Sequence, residues 1–95
     1  MFVVFLKFAA AKARAGEFMQ AHNAWLRQGF ADGVFLAAGS LEAGQGGAII
    51  AHGCNRAALE ERVSQGPFVA GNVVSAEITG FSPALTDERL KFLAA

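Results

Sequence analysis

The run FVVFLKF at residues 2–8 sets the problem that the rest of the chain must solve. It is built from β-branched and aromatic residues, which fit a pleated surface, and it reads as a strand. Alternation puts Phe2, Val4, Leu6 and Phe8 on one face and Val3, Phe5 and Lys7 on the other. Both faces are largely apolar. A strand of this kind belongs in a sheet that is covered on both sides.

The period then becomes helical. Over residues 11–31, Phe18, His22, Trp25, Leu26 and Phe30 recur three and four apart and form one apolar stripe. Ala31-Asp32-Gly33 closes this helix, with Gly33 suited to a left-handed terminal position. VFLAAGSL at 34–41 and GAIIAHG at 47–53 are strands joined by a glycine-rich turn, an antiparallel hairpin. Asn55 is a good N-cap for a second helix to about residue 65, with Leu59 and Val63 on its buried side. Gly66-Pro67 is a stop pair, and VVSAEITGF at 73–81 is a last strand. A domain over residues 1–82 is followed by a tail, 83–95, expected to form a short helix capped by Thr86, with Leu90 and Leu93 packing.

The order βαββαβ predicts an α+β, ferredoxin-like fold: one antiparallel sheet with both helices on one face. Two helices leave the second face of the sheet bare. The chain has 95 residues, of which 54% are hydrophobic and 17% charged, more apolar material than so small a globule hides alone. The expectation is a homodimer whose sheets pack face to face, a dimeric α/β-barrel.

Charge excludes some partners. Eight basic and eight acidic residues give a net charge of zero with no basic stripe, which argues against nucleic acid. The apolar opening is interrupted by Lys7, is too short to span a bilayer and lacks signal-peptide anatomy, so no membrane role and a cytoplasmic location are expected. The lone Cys54 reads as a small residue near a strand-to-helix turn, and His22, His52 and Cys54 have no metal-ligand spacing. Neither a metal nor a cofactor is expected. The glycine-rich stretch 39–47 joins two strands and lacks phosphate-loop spacing. It is a flexible hairpin or a loop that closes over a ligand, and Ser40 within it has no nucleophile context.

His22 is the most informative residue. It interrupts an apolar stripe where Leu or Met would fit at lower cost, and a buried imidazole requires hydrogen-bond partners. Its titration near neutrality suits acid–base work. Glu77 lies in an otherwise apolar strand, in register with Ser75 and Thr79, and is expected on the dimer side of the sheet as a rim charge or a cleft carboxylate.

These segments together resemble the YciI-like (YCII-related) family over residues 2–82. The carriers are FVVFLKF, AHNAWL at 21–26, DGVFLAAGSL at 32–41, GGAIIA at 46–51 and PFVAGNVVSAEITGFSP at 67–83. The resemblance implies a dimeric ferredoxin-like fold with a cleft between the sheet and the first helix. It also implies an acid–base pair, a helix histidine and an aspartate just before a Pro-aromatic pair; one branch of the family removes chloride from a hydroxylated aromatic. His22 stands at the histidine position. Gly66 stands at the aspartate position, so the pair is broken unless Asp32, Glu42 or Glu77 substitutes.

The leading expectation is a small cofactor-independent enzyme of lyase or isomerase type. His22 would act as general acid or base on a small, aromatic substrate, with Trp25, Ser40 and Phe68 binding it. The alternative is a non-catalytic small-molecule-binding or accessory dimer, which Gly66 favours. A third reading keeps His22 as a satisfied core residue in a structural dimeric module.

Overall fold

The computed structural model describes residues 1–94; Ala95, the last residue of the expected tail helix, lies outside the described residues. The strands are β1 (Phe2–Phe8), β2 (Phe35–Ser40), β3 (Gly46–Ala51) and β4 (Val74–Gly80). Helix α1 (Ala15–Ala31) links β1 to β2, while α2 (Arg56–Ser64) and the single turn α3 (Pro67–Ala70) link β3 to β4. All pairings are antiparallel, in the order β2-β3-β1-β4. This is the ferredoxin-like arrangement expected from the element order.

The hydrophobic core lies between the helices and one face of the sheet. Val4, Leu6, Ile49, Ala51 and Val74 supply the sheet side, and Leu59, Val63 and Phe68 pack on them from α2 and α3. The residues between these, Val3, Phe5 and Ile50, point to the other face and share cross-strand register. Glu77 pairs with Phe5 across β1 and β4, so it lies on that second face, as its alternation predicts.

Local chemistry sets the element ends. Asn55 caps α2 by accepting from the Ala58 N–H at 2.8 Å, and Leu59 and Val63 are its buried residues. Gly33 ends α1 with φ at 74°, a left-handed conformation that suits glycine. The stripe of α1 departs from expectation at its end: Phe30 is 43% exposed, and the buried position is Gly29. A Cβ on Gly29 would meet the Phe35 ring at 2.1 Å, so Phe35 lies directly on the helix backbone. A ring from β2 thus fills the place that a side chain from α1 was expected to fill.

Three further segments refine the sequence reading. Gly66-Pro67 both stops α2 and starts α3, because proline at the first helical position gives up an N–H that has no partner there. The hairpin turn contains a 3-10 segment, Glu42–Gly44. In the tail, the helical piece is 3-10 over Glu88–Leu93, and Asp87 rather than Thr86 caps it, accepting from the Arg89 N–H at 2.9 Å. Leu93 is half-buried, whereas Leu90 is 42% exposed and does not pack as expected.

Candidate functional site

A cleft of about 300 Å³ opens between α1 and the helix-facing side of the sheet. Its walls include Met19, His22, Asn23 and Leu26 of α1, and Phe68 of α3 closes one side. The floor exists because small residues occupy it. Gly39 lies opposite Ala48, and Ser40 opposite Gly47, so toward the hairpin turn β2 and β3 bring only small side chains to the floor, with Ile49 the one large residue farther in.

His22 reaches this cleft from the middle of α1. Its ring stacks on Phe68 with centroids 3.9 Å apart and planes 7° apart, and Trp25 lies 6.0 Å away. The Nδ1 atom is sealed from solvent and has no hydrogen-bond partner among the described residues. Burial holds the imidazole below its ordinary pKa, because the charged form loses hydration that nothing replaces. Only Nε2 is left to face a ligand.

Of the expected binding residues, Ser40 and Phe68 line this cleft with His22. Trp25 does not line it. The indole turns toward α2, where its Nε1–H donates to the Arg62 carbonyl at 3.2 Å and its ring meets Phe35 edge-on at 5.2 Å. There it lines a second groove of about 430 Å³ that also holds Asp32, Cys54 and Arg62.

None of the three substitute carboxylates is among the cleft-lining residues. Asp32 is engaged in the second groove, 2.9 Å from the Arg62 guanidinium and accepting from Gln28 at 2.8 Å. These two hydrogen bonds, that from Arg62 first, hold its carboxyl below the usual range. Glu77 lies on the other face of the sheet, 3.1 Å from Lys7. Glu42 belongs to the hairpin turn. His52 sits away from the cleft as well, edge-on to Phe92 at 5.4 Å.

Gly66 explains itself sterically. Its backbone, at φ −59° and ψ 132°, is open to any residue, so conformational freedom is not what glycine supplies here. A Cβ would lie 3.2 Å from the Trp25 ring and 3.2 Å from the Val63 carbonyl oxygen. A side chain at 66 therefore fits only if the indole gives way by a few tenths of an ångström. Sequence reasoning missed Asn23 and Met19, which flank the apolar stripe and line the cleft.

A family model described as the YCII-related domain matches residues 1–82. The protein belongs to the YCII-related family. This YCII-related chain also shares its fold with a solved structure titled 5-chloro-2-hydroxyhydroquinone dehydrochlorinase (TftG) from Burkholderia phenoliruptrix AC1100, in complex with 2,5-dihydroxybenzoquinone. The likeness has a TM-score of 0.68 at 12% identity and covers 85% of this chain and 93% of that one. At that identity it speaks for the fold alone. No curated protein matches the sequence. Among the described residues no cluster of His, Cys, Asp and Glu could hold a metal ion, and no helix is long and apolar enough to cross a membrane.

Proposed function

We propose that the cleft beside His22 binds a small planar molecule, and that this YCII-related protein is a binding protein rather than a catalyst. The observation that carries this reading is the buried Nδ1 without an acceptor, in a cleft that no carboxylate lines. A general base must become imidazolium during turnover, and then both ring nitrogens carry protons. With Nε2 as the base, the Nδ1–H is already an orphaned buried donor before the reaction, a cost of about 1–3 kcal/mol, and the imidazolium adds the lost hydration. A carboxylate partner removes that cost and fixes the tautomer in histidine–acid pairs. With glycine at 66, His22 is better suited to hold a hydrogen bond than to move a proton.

A second reading, His22 as general acid or base in a lyase or isomerase step, is supported by family membership and by the fold shared with a dehydrochlorinase. The two separate in one experiment. A panel of hydroxylated aromatics is titrated by protein NMR while the same mixtures are followed by mass spectrometry. Saturable shifts at His22 and Ser40 without conversion support binding. Conversion that disappears in His22→Ala overturns it in favour of catalysis.

The second sheet face supports a homodimer. Val3, Phe5 and Ile50 form a half-buried apolar band on the face that α1, α2 and α3 leave open, and the Lys7–Glu77 pair sits beside it as a polar rim. Two such faces packed together form the dimeric α/β-barrel. Phe5→Asp buries a charge at the centre of that interface and should give a monomer in sedimentation equilibrium, where the native chain gives a dimer.

A further inference from the structure

Resting on the reading of this cleft as a ligand site, we infer that it sorts ligands by charge. It admits an uncharged planar ring whose edge carries hydroxyl, carbonyl or amide groups, and it turns away a carboxylate or phosphate of the same shape.

The lining carries the argument. Among the described residues that form the cleft there is no Lys, Arg, Asp or Glu. Its polar side chains are His22, Asn23 and Ser40, which offer neutral donors and acceptors. They come from two sides, His22 and Asn23 from α1 and Ser40 from β2. Lys12 is not part of the lining, although its Nζ lies 4.7 Å from the centre of the ring of Phe8, a lining residue. Helix α1 begins at Ala15 and presents its middle turns to the cleft, so its N-terminal dipole is directed elsewhere.

An anion entering such a site gives up hydration and gains no opposite charge. Against the buried inner wall of Leu6, Ile49, Phe68 and Val74 a charge would be unpaired, and buried charges are tolerated only when paired and fully hydrogen-bonded. A hydroxyl or amide meets the three polar side chains at far smaller cost. Shape agrees with a flat ligand. Gly47 leaves the floor without a side chain, and a Cβ there would lie 3.2 Å from the Gly39 carbonyl oxygen, so the floor is closely built backbone. The parallel His22–Phe68 pair adds a flat wall.

The test uses two probes of one shape, 4-hydroxybenzamide and 4-hydroxybenzoate, titrated into the isotope-labelled full chain at pH 7.5. Shifts are read at His22, Asn23 and Ser40. The expected result is saturable binding of the amide and at least about tenfold weaker binding of the carboxylate, the factor that 1.4 kcal/mol supplies. Ser40→Lys, which places a cation on the cleft wall, should narrow that gap. Equal affinity for the two probes overturns charge selection and leaves the cleft as a ligand site. An unchanged gap in Ser40→Lys also overturns it. No shift at any of the three residues with either probe overturns the ligand-site reading beneath it.

Discussion

Helix α1 is flanked by two depressions that treat polar groups in opposite ways. In the groove toward α2, the named polar atoms are paired: Asp32 with Arg62 and Gln28, and the Trp25 indole with the Arg62 carbonyl. In the cleft toward the hairpin, no charged residue contributes to the lining, and a buried nitrogen of His22 stands without a partner. Paired groups hold elements of the fold against one another. An orphaned buried polar atom is an unrelieved cost, and in native proteins it calls for a partner such as a water, an ion or a ligand. On the proposed reading, the difference gives scaffold work to the Trp25 groove and ligand work to the His22 cleft.

The largest expected effect comes where the two kinds of work meet. Phe68 is 8% exposed, belongs to the core and stacks on His22. Phe68→Ala should cost about 3–5 kcal/mol in urea unfolding and should weaken ligand binding together with stability. Preserved stability would mean that the ring serves the cleft alone and would break the comparison from one side.

Next comes Trp25→Phe, which keeps an aromatic ring but removes the bond to the Arg62 carbonyl. It should cost about 0.5–1.5 kcal/mol of stability and leave the affinity of cleft ligands unchanged. A change in affinity without a change in stability would move Trp25 into the functional site, where the sequence first put it.

The smallest effect separates the depressions by pH. Both groups have folded values below their ordinary ones, so the unfolded chain binds the proton first and stability falls as pH drops through each window. For His22 the loss begins near pH 6.5, its ordinary value, and proceeds downward toward its lowered folded value. For Asp32 it begins near pH 3.9 and continues below. Thermal melts across this range should show the upper step vanish in His22→Leu while the lower step remains. An upper step that survives His22→Leu would show that another group causes it.

The fold was legible because periodicity reports on packing faces. Alternation in residues 2–8 and 73–81 identified both sides of the sheet, including the side on which Glu77 lies. Asn55, Gly33 and Gly66-Pro67 were legible because capping depends on local backbone geometry. The failures are tertiary. Gly29 is the buried position near the end of α1 because Phe35 arrives from another element, and no spacing along a helix encodes that. Trp25 and His22 share one stripe, yet they face different depressions, because α2 claims the indole and α3 claims the imidazole. Ser40 and Phe68 were expected to bind a ligand together with His22, and both line its cleft. Asn23 went unseen because it lies off the apolar stripe, and only the fold brings it to the cleft.

One measurement tests the central claim most directly: the pH titration of the His22 ring by NMR, in the native chain and in Gly66→Asp. The account predicts a native midpoint below the ordinary value of about 6.5, since burial opposes the charge and no carboxylate supports it. Aspartate at 66 should raise that midpoint once the Trp25 ring yields the few tenths of an ångström that the new Cβ needs. A native midpoint at or above the ordinary value would require an acid beside Nδ1. It would contradict the account and return His22 to catalysis.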